Sequence, residues 1–68
     1  MNMNIRKLKG KMVEQGFNVE TLATKIGICT STLYRKLNGG EKITIGDAQK
    51  IKVELNLTNE EAIEIFFG

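Results

Sequence analysis

A chain of 68 residues, 41% hydrophobic and 26% charged, suffices for one small globule over 1–68 and excludes both a disordered tail and a second domain. A single cysteine, Cys29, excludes an internal disulfide and points to a reducing compartment, the cytoplasm; no apolar run reaches the ~18–20 residues of a membrane span, and no signal-peptide apolar region follows the basic start. With no histidine, no second cysteine and no Gly-rich phosphate loop before a helix, the sequence offers neither a metal site nor an activated nucleophile, so neither an enzyme nor a cofactor is expected.

The net charge of +2 is small, but it is unevenly spread. Residues 1–42 carry eight Lys/Arg against three Asp/Glu, giving +5, and residues 43–68 carry two against five, giving −3. This polarity suits a basic binding face with an acidic rear, or ordinary solvated helix faces.

Prolines, repeats and low-complexity segments are absent, and apolar residues recur at helical spacing. Ile5, Leu8, Met12 and Val13 form one stripe and predict a first helix over 4–15, although Gly10 inside it costs about 1 kcal/mol relative to Ala. Gly16 stops it, with Phe17 packing behind. Asn18 is a good N-cap for a second helix over 19–26, with Leu22, Ala23 and Ile26 inward, and Gly27 closes it. A third helix of about 30–38 carries Leu33 and Leu37 inward and ends at Asn38-Gly39-Gly40. Thr44 with Asp47 is an acidic variant of the capping box and starts a fourth helix, 45–55, with Ala48, Ile51 and Leu55 inward. Thr58 with Glu61 is a second capping box, starting a fifth helix that uses Ala62, Ile63 and Phe66. Strand alternation is confined to the brief KITI at 42–45, so the fold class is all-α, five short helices around one core.

Two short helices joined by a tight Gly-containing turn form the unit that presents a helix to the DNA major groove. The stretch 19–38 has that form, with the small Ala23 where helices cross, Gly27 in the turn, and Ile28 and Leu33 on either side. At about 100° per residue, Leu33 and Leu37 set the buried direction of the third helix. Ser31, Thr32 and Arg35 then point most directly away, Thr30 and Tyr34 flank one side, and Lys36 the other. An arginine can bond two acceptors on a guanine edge, and hydroxyls can meet a base or a phosphate. Thr30 and Ser31 also lie in the first turn, beside backbone N–H groups that attract anions. Asn18, Asn38 and Lys42 are candidate phosphate contacts, which position without specifying.

Leu22-Ala23, Ile26-Gly27-Ile28, Ser31-Thr32-Leu33 and Asn38-Gly39 resemble the helix-turn-helix of the lambda-type repressor/Cro family of phage and bacterial regulators. One helix before the motif and two after it extend the resemblance over nearly the whole chain, with ITIGDAQKIKVELNLT similar to the family's fourth helix and following turn. The resemblance implies a compact lambda-repressor-like domain in which the helix at about 30–38 reads the major groove of a promoter operator. Carried over, Thr30, Ser31 and Arg35 read bases, with Thr32, Asn38 and Lys42 toward phosphates; the helix face itself offers Thr32, Tyr34 and Lys36 to bases or phosphates, and Asn18 is a further candidate phosphate contact. It further implies a phage or prophage regulator in the bacterial cytoplasm, at the nucleoid, binding as a homodimer to half-sites ~34–36 Å apart. The chain departs from the family at Val19, where Gln is common, and at Cys29, where Ser, Thr or Gly usually caps the helix. A thiol there is either an oxidant sensor or a plain small-residue substitution.

The tail EAIEIFFG has more apolar surface than one helix face needs. With Ala62, Ile63 and Phe66 inward, Ile65 and Phe67 are left partly exposed, so Ile65, Phe66 and Phe67 are candidate protein-interface residues. The family often dimerises through this region, and a different protein could also dock there. The chain therefore reads either as a Cro-like single-domain regulator or as a fragment of a longer repressor. The alternative function is a modulator or antirepressor of the same fold that binds another repressor protein.

Overall fold

The computed structural model describes residues 3–67 and arranges them as α1 (Ile5–Glu14), α2 (Val19–Ile26), α3 (Thr30–Leu37), α4 (Ile45–Glu54) and α5 (Asn59–Phe66), with no strand among the described residues. Short polar side chains decide where four of these helices begin. Asn4 Oδ1 accepts from the Lys7 N–H at 3.1 Å and Asn18 Oδ1 from the Thr21 N–H at 2.7 Å. Thr44 and Asp47 bond reciprocally at 3.1 and 3.2 Å, and Thr58 and Glu61 at 3.1 and 2.9 Å, completing both expected capping boxes. Each cap satisfies N–H groups that a helix start leaves open and contributes about 1 kcal/mol. α1 starts one residue later than the spacing predicts, because Asn4 stands outside it as the cap.

The helix ends also share one device. After α2, the Ile28 N–H reaches the Ala23 carbonyl at 3.0 Å and the Gly27 N–H the Thr24 carbonyl at 3.3 Å, the paired closure that needs a left-handed residue. Gly27 supplies it at φ 79°, where a side chain would be strained. The same pair of bonds closes α1 at Gly16, α3 at Gly39 and α4 at Asn56, the last a non-glycine at φ 52°. Asn tolerates this region better than most residues, and Leu57 behind it plugs into the core.

The core is wholly apolar: Leu8 and Met12 of α1, Leu22, Ala23 and Ile26 of α2, Leu33 and Leu37 of α3, Ala48 and Ile51 of α4, Ile65 and Phe66 of α5, with Ile43, Leu55 and Leu57 from connecting segments. α2 packs on α3 and α4, α1 on α5, and α4 on α5. The radius of gyration, 10.6 Å, is close to the ~11 Å of a compact chain of this length. No helix among the described residues is long and apolar enough to cross a membrane.

Two stripes differ from expectation. Val13 is exposed rather than part of the α1 stripe, lying about 120° round the helix from the direction set by Leu8 and Met12. In α5, Ile65 is fully buried and Ile63 is 57% exposed, the reverse of the expected pair. Ile63 and Ile65 lie about equally far, ~80°, on either side of the direction set by Ala62 and Phe66, and the packing of α5 on α1 and α4 buries the Ile65 side. Ile65 and Phe66, proposed from sequence as interface residues, are thus core residues, and of the three only Phe67 is exposed.

The charge polarity of the sequence is partly consumed inside the fold. Lys7 pairs with Glu64 and Lys11 with Glu61, so cations of α1 meet carboxylates of α5. The Glu61 hydrogen bond raises the Lys11 ammonium above its usual range. The Lys11 ammonium, and then the Thr58 N–H, hold Glu61 down at about 2. The Asn4 N–H adds a 2.6 Å bond to the Ile65 carbonyl, tying the start of α1 to the end of α5.

Candidate functional site

Three residues, Gly27, Ile28 and Cys29, join α2 to α3. Gly27 turns the chain, Ile28 half-buries its side chain against the core, and Cys29 is extended at φ −70°, ψ 145°. Ala23 is fully buried, the small residue expected where α2 meets its neighbours. Leu33 and Leu37 anchor α3 from below.

The opposite side of α3 is free. Ser31, Tyr34 and Arg35 are exposed, Thr30 and Thr32 are half-buried, and Asn38 is exposed just past the last turn. Among the described residues the side chains of Thr30, Ser31, Tyr34 and Asn38 make no hydrogen bond, whereas Arg35 Nη2 makes a long 3.5 Å contact to Thr32 Oγ1. The first turn is open as well: Cys29 provides no side-chain cap, in contrast to the residues before the other four helices. The N–H groups of this turn therefore face a ligand or water.

Lys36 does not join this face. Its side chain is 9% exposed and its ammonium lies 2.7 Å from Asp47 Oδ2, 3.5 Å from Glu41 Oε2 and 3.3 Å from the Lys42 carbonyl. The Asp47 bond raises Lys36 above the usual lysine range despite its burial. Burial pushes the Asp47 carboxyl upward, but Lys36 and Thr44 outweigh it and hold the group below its usual value. The residue expected to touch bases or phosphates thus ties the end of α3 to the start of α4. Asn18 also spends its carboxamide oxygen on capping α2, leaving only its NH2 group for a ligand. Lys42 is exposed and makes no ion pair among the described residues.

Sequence spacing misses one participant. Glu41 lies in the loop after α3, with Oε1 3.9 Å from Arg35 Nε. Helical periodicity says nothing about where a loop residue returns; the only sequence signal is a lone acid between Arg35-Lys36 and Lys42. The assembled surface offers hydroxyls, a phenol, a carboxamide, open backbone N–H groups and one guanidinium with a carboxylate beside it. These groups can donate to and accept from base edges and bind phosphate oxygens. No protein-family model matches the chain, and neither a curated protein nor a solved structure matches it.

Proposed function

We propose that the protein is a sequence-specific regulator that binds double-stranded DNA, of the lambda-type repressor/Cro kind, with α2 and α3 as a helix-turn-helix. α3 enters the major groove of a promoter operator, where Thr30, Ser31 and Arg35 meet base edges. Thr32 and Tyr34 lie at the margin, toward bases or phosphates, while Asn18, Asn38 and Lys42 sit against phosphates. Two copies bind a two-fold operator. The observation that carries the reading is the two-sided character of α3, a short helix pinned by Leu33 and Leu37 with an uncapped first turn and an outward face left unbonded apart from Arg35. Such a face offers the donors and acceptors that base edges and phosphates require.

The test is binding to duplexes from the promoter beside its own gene, against random duplex, over a salt series, with the wild type and Arg35→Ala. Promoter binding that falls steeply with salt, and a loss of about 1–3 kcal/mol of discrimination in the variant, is the expected result. Weak binding, equal on both duplexes and indifferent to Arg35, sinks the reading. The second reading, a modulator that binds another repressor, draws on exposed Ile63 and Phe67 and on the small net charge. It predicts that Phe67→Ser, rather than Arg35→Ala, abolishes regulation.

A further inference from the structure

Glu41 is out of place on a surface that meets a polyanion. The chain brings it there by a definite route. After Asn38 the left-handed Gly39 turns the backbone, and the Gly40 N–H bonds the Arg35 carbonyl at 2.9 Å. A Cβ at Gly40 would stand 3.6 Å from that carbonyl oxygen and 3.9 Å from Arg35 Cβ, so the loop lies directly along Arg35. The next residue, Glu41, then faces both Arg35, at 3.9 Å, and Lys36, at 3.5 Å.

The two cations are not equal claimants. Lys36 already has Asp47 at 2.7 Å and the Lys42 carbonyl at 3.3 Å, and little of it reaches solvent. Arg35 is 62% exposed, and among the described residues its only side-chain hydrogen bond is the long one to Thr32. Glu41 stands nearer to Lys36, but Lys36 keeps Asp47 without it, whereas among the described residues Glu41 is the one carboxylate that pairs with Arg35. It lies 3.9 Å from Nε, beyond hydrogen-bond reach, with Thr32 Oγ1 3.5 Å from Nη2, so it biases the guanidinium toward this side by charge rather than by a bond.

We infer that Glu41 is a specificity-determining residue that positions Arg35 for a base edge and opposes its use as a general phosphate contact. The inference rests on the regulator reading and deepens it. On random DNA, Arg35 gains only a phosphate, and reaching it means leaving Glu41 while bringing that carboxylate near the backbone. On the preferred sequence, Arg35 bonds a base acceptor from the position Glu41 helps hold. The carboxylate thus costs affinity on every duplex, but more on the wrong ones.

The experiment uses the full chain and a duplex enriched by the wild type from a random-sequence pool, compared with unselected random duplex of the same length. Glu41→Gln should raise affinity for random duplex about three- to fivefold and steepen its salt slope by about 0.9, the signature of one added phosphate contact. Affinity for the selected duplex should rise less or fall, so that discrimination drops. Glu60→Gln removes the same charge from an acid that makes no ion pair among the described residues, and it should leave discrimination unchanged. In an Arg35→Ala background, Glu41→Gln should no longer alter discrimination. Unchanged discrimination in Glu41→Gln, an equal effect from Glu60→Gln, or an effect that survives loss of Arg35 overturns the inference and leaves the regulator reading standing. A wild type that enriches no duplex overturns the regulator reading and the inference with it.

Discussion

Replacing Lys36 by Met keeps the aliphatic stem against the core and removes only the ammonium. The perturbation separates two roles for one residue, a DNA contact suggested by helical spacing and a strut suggested by its contacts. Its loss leaves the Asp47 carboxylate, 14% exposed, with the Thr44 N–H at 3.2 Å as its remaining side-chain-capping partner. A hydrogen bond to a charged group is worth about 1.5–3 kcal/mol, and breaking a fully buried pair costs about 3–5. Since Asp47 keeps a partner and some water, a loss of about 2 kcal/mol is expected. A 68-residue domain holds about 3–10 kcal/mol in total, so the variant stays folded but visibly weakened. With a urea dependence of about 1 kcal/mol per molar, its midpoint should fall by about 2 M.

The pH dependence has a definite sign. Asp47 is held below its ordinary 3.8, so its contribution is complete above that value and fades as pH falls through the lower folded value. Lys36 is raised above 10.5, so its contribution is complete below 10.5 and fades as pH rises through the higher folded value. The gap between wild type and Lys36→Met should therefore be flat between these limits and close beyond either. A midpoint that barely moves, together with a DNA salt slope shallower by about 0.9, would refute the strut and return Lys36 to the phosphate backbone.

Cys29→Ser should stabilise the fold, because Cys29 has N-cap geometry without a cap bond; a gain of about 0.5–1 kcal/mol, or roughly 3–6 °C in a thermal scan, is expected. Ile65→Ala should cost about 2–5 kcal/mol in denaturant titrations and Ile63→Ala less than about 0.5, and equal costs would mean that α5 is rotated from the observed register. Lys11→Met should move the Glu61 carboxyl from about 2 toward its ordinary 4.5 in an NMR titration, so that acid unfolding begins at higher pH; a Glu61 that does not move has no partner in Lys11.

The starts of α2, α4 and α5 were legible because each rests on chemistry within three residues. Asn18, Thr44 with Asp47, and Thr58 with Glu61 bond as the sequence predicts, and Gly27 and Gly39 stand in the left-handed turns. α5 was misread because Ile63 and Ile65 flank the Ala62–Phe66 direction at about equal angles until the packing against α1 and α4 chooses one. Asn56 escaped notice because Asn serves as a surface residue far more often than as a helix stop. On α3, periodicity identified the buried leucines and the open face, yet it could not show that Lys36 bends toward Asp47, eleven residues later. Nor could it place Glu41, whose position depends on a loop path and not on a period.

The misreadings of Lys36 and Glu41 have a common origin in how so small a fold uses its charges. Lys7, Lys11 and Lys36 each serve a carboxylate from a distant part of the chain, so the +5 half of the sequence lends three of its cations to the −3 half or to the α3–α4 connection. A domain with a wholly apolar core of this size has little stability to spare, and cross-helix ion pairs with partly covered ammonium groups are one way to fix helix placement. The same cations are then withheld from a polyanionic partner. On the regulator reading, the outward face of α3 is left to select its ligand by hydrogen-bond geometry, with one guanidinium and a carboxylate to restrain it. Phosphate attraction from the cations that remain holds the duplex without specifying it, and the discrimination comes from the bases.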